Sequence, residues 1–264
     1  MEALSLVTPL RELVLLLGLS TTRVAVAFLL VPLFTADLIP ATVRNAIFVA
    51  IALMALLMQP ASGPAPGGFA LLALFAKEAF IGGALGLLFA GVMWAFEIAG
   101  QLIDTKVGMT QAQVTDPLSG HQTSLTGALF ARLASWVFMA SGGFMVMMAA
   151  LFESYSIWPV LAPAPRLAAG GVQLLEAEFG RIMLLGLLVS APALVLLYAV
   201  DVVLGLVNRF AQQLNVFSLS MSLKAAAATW IVWIQLASLV QLLQDDLLSR
   251  GGVVLRTLRV LLGG

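Results

Sequence analysis

The chain has 264 residues, 61% of them hydrophobic and only 10% charged, with a mean hydropathy of +1.07. A soluble domain is roughly 45–50% apolar and about 25% charged, so too few polar side chains exist here to coat a water-facing globule. Thirteen basic against thirteen acidic residues remove the basic footprint of a nucleic-acid binder, and the lack of cysteine excludes disulfides, thiolate zinc sites and cysteine nucleophiles.

A helix crossing about 30 Å of hydrocarbon needs roughly 20 mostly apolar residues. Residues 13–34 meet that length but carry Arg23 near the middle. Residues 46–58 are short, a marginal span or a buried or re-entrant helix. Residues 79–96 lie between Glu78 and Glu97, and 133–152, 182–200 and 225–244 are bracketed by charges and free of them inside. Pro60, Pro64 and Pro66 with Gly63, Gly67 and Gly68 punctuate the second connection, and Pro159, Pro163 and Pro165 punctuate a later one. Pro192 falls inside the fifth segment, where it removes a backbone donor. The expected fold is all-α, a polytopic membrane protein of about six hydrophobic helices. It is expected to form one domain over residues 1–264, with a short basic tail over 245–264. Glu2, Arg11 and Glu12 surround a short apolar start without a cleavage pattern, so targeting is expected to rest on the hydrophobic segments themselves. Lysine and arginine divide almost evenly between the two sides of a six-span arrangement, and the slight excess favours termini in the cytoplasm.

Two polar stretches, 100–127 and 201–224, fall on one side in that arrangement. Arg23 is expected to meet a partner, a carboxylate or water, because a guanidinium at mid-membrane costs about 2.5–3.5 kcal/mol. The competing reading has the first helix start late and Arg23 snorkel from its end. Lys77, Glu78, Glu97 and Asp104 read as helix-end groups within reach of water, suited to anchoring and end-on salt bridges. Gly82 and Gly86 make a small-xxx-small pair that lets another helix approach closely. His121 reads as an ordinary loop residue, and no phosphate-binding loop or metal-ligand spacing is present. No catalytic group, cofactor site or metal site is expected.

Residues 208–224 read NRFAQQLNVFSLSMSLK. Asn208, Arg209, Gln212, Gln213 and Asn215 crowd strong hydrogen-bonding groups beside Phe210, Leu214, Val216 and Phe217. Unpaired buried polar groups cost about 1–3 kcal/mol each, so an ordered contact between subunits explains both the polarity and the aromatics.

At these residues the chain resembles the FliR/SctT family, the flagellar and injectisome export-gate proteins of bacterial type III secretion. The markers run over most of the chain: Arg23, Pro32, Ile39–Pro40 and Arg44, then Lys77–Glu78, Gly100, Asp104, Gly108 and Asp116–Pro117. Arg209, Gln213 to Phe217 and Met221 to Lys224 are the most specific. Gln212 and Ser222 stand where many members, flagellar ones especially, carry proline, which tilts the likeness toward the injectisome branch associated with virulence.

The resemblance implies a non-enzymatic structural and gating subunit of the protein-conducting pore, in the bacterial inner membrane. Its implied partners are FliP/SctR-like and FliQ/SctS-like gate subunits, an FlhB/SctU-like switch protein, unfolded secreted substrates and membrane lipid. In such assemblies helical hairpins wind around a central pore in a larger hetero-oligomer, and a separate ATPase and the proton motive force supply energy. Candidate subunit contacts are Arg23, Arg209, Gln213, Asn215, Phe217 and Lys224. The candidate pore plug comprises Gly108, Met109, Thr110, Gln111, Val114, Asp116, Pro117 and Gly120, in which apolar side chains can seal and polar ones tolerate water. A turn shaped by Asp116–Pro117 is the plainer reading of that segment. The alternative function is a secondary transporter of a small solute, which the Pro-containing fifth and Gly-rich third segments would suit, although matching inverted halves are absent. An intramembrane enzyme lacks a nucleophile–base pair.

Overall fold

Long apolar runs with few breakers become seven helices among the described residues: α1 (Glu2–Leu30), α2 (Ala41–Leu57), α3 (Phe69–Val107), α4 (Leu125–Ala140), α5 (Gly143–Ile157), α6 (Ala169–Phe210) and α7 (Val216–Leu261). The structure, a computed structural model, describes the backbone of residues 2–34, 39–58, 68–108, 124–162, 169–210 and 216–261. Side chains are described for 12–34, 39–58, 68–108, 124–162, 173–210 and 219–247.

Local chemistry sets the ends. Pro40 precedes α2 at φ −54°, which suits a helix start. Gly108 closes α3 at φ +94°, a conformation that L side chains rarely adopt, and its N–H reaches the carbonyls of Asp104 and Thr105 at 3.2 Å. Ser124 caps α4, its hydroxyl accepting from the Gly127 N–H at 2.9 Å. α5 stops at Trp158, held extended by the following Pro159. α6 runs through Pro192 as one helix of 42 residues.

Among the described residues, four helical stretches are long and apolar enough to cross a membrane: Glu12–Leu30, Phe69–Val107, Gln173–Phe210 and Leu219–Leu247. The α4–α5 pair makes a fifth when its two pieces are taken together. The chain is a multi-pass all-α membrane protein. Two expectations need correction. The run 133–152 is not one helix, because Ser141 and Gly142 interrupt it and Gly142 takes φ +78°; among the described residues the apolar segments therefore yield seven helices. The third helix begins at Phe69 rather than 79 and has 39 residues, about 58 Å at 1.5 Å per residue, well beyond the hydrocarbon thickness.

The chain forms two compact units: Met1–Gly91 with Gly142–Glu178 and Ser249–Gly264, and Val92–Ser141 with Phe179–Leu248. In the first, α2 packs on α1, and Phe28 meets Phe34, Phe48 and Phe144 at ring separations of 4.8, 5.8 and 6.1 Å. In the second, Gly100 lies directly against the backbone of Gly127, Gly186 lies against the carbonyl of Ala95, and Phe96 meets Phe130 edge-on at 6.5 Å. Leu187, Val195 and Val202 on α6 and Trp230 and Trp233 on α7 stay exposed, as suits surfaces covered by lipid or by other subunits.

Candidate functional site

The first unit is built around a buried ionic network. Arg23 lies on α1 with its guanidinium wholly enclosed. Its Nε donates to Glu78 Oε2 at 2.6 Å and its Nη2 to Glu78 Oε1 at 2.9 Å, a two-pronged pair between α1 and α3. The remaining donors reach α5 and its end: Nη1 to Ser154 Oγ at 3.1 Å and Nη2 to the Trp158 carbonyl at 3.0 Å. The Tyr155 ring lies 4.1 Å from the guanidinium carbon, and the Tyr155 hydroxyl donates to the Ser20 carbonyl at 2.7 Å.

Lys77 completes the network. Its ammonium is 3.0 Å from Glu78 Oε1 and donates to the carbonyls of Pro159, Val160 and Ala162 at 3.1, 2.7 and 3.1 Å. Two cations thus share one carboxylate, and the carbonyls freed where Pro159 stops α5 supply the remaining negative potential. Glycine brings the helices into reach. A Cβ on Gly86 would lie 2.9 Å from the Ala27 carbonyl oxygen, and one on Gly82 would overlap the backbone of Arg23. Glu78, Gly82 and Gly86 are spaced by four, so they form one stripe along α3 that faces α1.

The second unit holds two polar clusters. Asp104, near the end of α3, accepts from Ser124 Oγ at 2.6 Å, from the Thr126 N–H at 2.8 Å and from Thr126 Oγ1 at 2.5 Å. It therefore ties the end of α3 to the start of α4. Asp201 on α6 receives Lys106 of α3 on Oδ2 at 2.8 Å and Lys224 of α7 on Oδ1. The Lys106 ammonium also stands 3.8 Å above the centre of the Tyr198 ring. Further along, Arg181 pairs with Asp246 at 2.5 Å and links α6 to α7.

Several residues sit elsewhere than the sequence pattern places them. Lys77 and Glu78 are not water-reachable end groups: α3 starts earlier, and they are 4% and 0% exposed. Asp104 is buried as well, consumed by the start of α4. Arg23, a candidate for contact with another subunit, spends its donors inside the chain, and Lys224 pairs with Asp201. Arg209 is exposed at the end of α6. Gln213 and Asn215, and the side chain of Phe217, lie outside the described residues, as do Met109, Thr110, Gln111, Val114, Asp116, Pro117 and Gly120 of the plug candidate. Its first residue, Gly108, is the cap of α3. Sequence reasoning did not single out Ser154, Tyr155 or Asp201 as functional; an apolar α5 with Ser154 and Tyr155 at its end was the only available signal for the first two.

Among the described residues these clusters bind helices to helices. The model of a family described as bacterial export proteins, family 1, matches residues 14–249. The chain is 32% identical over 215 residues to the Yop proteins translocation protein T of Yersinia pestis, covering 80% of this chain and 81% of that one. It is 28% identical over 224 residues to the surface presentation of antigens protein SpaR of Salmonella typhimurium, 84% of this chain and 83% of the relative. It is 29% identical over 244 residues to the flagellar biosynthetic protein FliR of Bacillus subtilis, 91% and 93% of the two chains.

Proposed function

The chain belongs to the bacterial export proteins, family 1, and from that premise we propose that it is a structural and gating subunit of a type III secretion export gate. The observation that carries this is the length of the likeness: it runs through the membrane-crossing helices of both units, toward relatives named for secretion and flagellar assembly. A solute transporter would need a polar cavity at the membrane midplane. Among the described residues, the buried charges Arg23, Lys77 and Glu78 instead satisfy one another.

On this reading the protein resides in the bacterial inner membrane as one domain and works without catalysis or a cofactor. It assembles with FliP/SctR-like and FliQ/SctS-like subunits, meets an FlhB/SctU-like switch protein, and passes unfolded substrates. Gln212 and Ser222, where many flagellar relatives carry proline, tilt this reading toward the injectisome branch. Arg209, Gln213, Asn215 and Phe217 are its subunit contacts, supported by the exposure of Arg209 and Phe210 at the end of α6. The segment from Gly108 to Gly120 is the pore plug, supported by the anchoring of both its flanks through Asp104, Gly108 and Ser124.

Affinity purification of the tagged full-length protein in mild detergent tests the reading. Recovery in a complex with the other gate subunits is expected. A stable monomer that takes up a small solute in liposomes would replace the gate with a transporter.

A further inference from the structure

The end of α3 meets α6 and α7 at a single carboxylate. Lys106 is one residue from the end of α3, Asp201 lies on the last stretch of α6, and Lys224 lies in the opening turns of α7. Each oxygen of Asp201 takes one ammonium. The three side chains are 25%, 31% and 15% exposed for Lys106, Asp201 and Lys224, so water screens them only in part. A Cβ on Gly108 would lie 3.9 Å from the Met221 methyl, which sets the opening of α7 beside the cap of α3. Lys106 has a second hold on α6 through the Tyr198 ring, and among the described residues Lys224 is held to α6 by its ion pair to Asp201.

Like charges repel unless something lies between them. With Asp201 neutral, two ammonium groups face one another at the place where three helices converge. We propose that Asp201 is a positioning residue for the gate, drawing the ends of α3 and α7 onto α6. The proposal rests on the export reading for its consequence, because the polar contact candidates follow α6 directly and precede Lys224 by only a few residues. Its geometric part stands alone: the carboxylate sets the spacing of the helix ends by charge, rather than by shape.

The test uses the full-length protein in its purified complex. The chain has no cysteine, so it can be labelled before assembly at cysteines placed at Thr105 and Leu223 alone, and the spin labels then report the α3–α7 separation. Asp201→Asn is expected to broaden the distance distribution toward longer values and to lower secretion about fivefold, the scale on which the two partly exposed ion pairs it breaks act together. Asp201→Glu keeps the charge and should keep a narrow distribution. The triple variant Lys106→Met, Asp201→Asn, Lys224→Met removes the repulsion along with the pin, and should fall between Asp201→Asn and the wild type in breadth. An unchanged distribution in Asp201→Asn overturns the proposal, and so does a triple variant as narrow as the wild type. Broadening with secretion intact overturns the gate role alone. Co-purification of the other subunits, measured on the same samples, decides the export reading separately.

Discussion

Gly82 lies against the backbone of Arg23: a Cβ there would come within 3.1 Å of the Arg23 carbonyl carbon and 3.2 Å of its Cα. The close approach of α1 and α3 and the buried ion pair one turn away are therefore one feature. The glycine admits the backbone, and the admitted backbone carries the guanidinium to Glu78.

Replacing Gly82 with leucine forces two backbones apart, and neither is a flexible side-chain tip that can yield. A loss of at least about 2 kcal/mol is expected from overpacking of this kind. Thermal unfolding in detergent would register it as a lower midpoint, whereas Gly180→Leu, where a Cβ meets nothing within 4 Å, should leave the midpoint near that of the wild type.

The network around Glu78 predicts an asymmetry. Glu78→Gln leaves Arg23 and Lys77 enclosed with no anion, a change on the order of 3–5 kcal/mol. Arg23→Gln leaves Lys77 and Glu78 still paired at 3.0 Å and should be milder. The double variant should be less harmful than Glu78→Gln alone. Protease resistance and membrane yield of the three variants check the order, and equal damage in all of them would contradict it.

Asp104 predicts a local effect. Asp104→Ala removes the acceptor for the Ser124 and Thr126 hydroxyls and for one N–H at the start of α4, a cap contribution of about 1–2 kcal/mol. Hydrogen exchange of the first α4 amides should then quicken by about tenfold, while α2 keeps its protection.

Deleting residues 110–115 tests the plug. Conductance or small-molecule leakage through the assembled complex should rise while subunit recovery stays at the wild-type level. Baseline conductance in a complex shown to be intact would remove the seal from this segment.

Membrane class and all-α architecture were legible because apolar excess and segment length are local properties that a window of the chain can weigh. The start of α3 was not. A hydropathy window halts at Lys77 and Glu78, yet the helix continues because Arg23, 55 positions earlier, and the carbonyls after α5, more than 80 positions later, neutralise them. The break in 133–152 did have a signal, the Ser141–Gly142–Gly143 triplet, outweighed by the apolar residues around it. Asp201 shows the general limit. Its partners lie on two other helices, and nothing next to it in the chain announces either one.

The distance along the chain between Arg23 and Glu78 also has a meaning in time. Synthesis at about 5–20 residues per second separates the two by several seconds, so α1 leaves the ribosome with a guanidinium whose counter-ion has yet to be made. During that interval the unpaired guanidinium costs about 2.5–3.5 kcal/mol in lipid, which holds back the entry of the first helix until α3 follows. The arginine thus works as a timer on insertion: replaced by leucine, it should let the first helix enter the bilayer early, and a chain stalled before Glu78, assayed for extraction by alkaline carbonate, would reveal the difference.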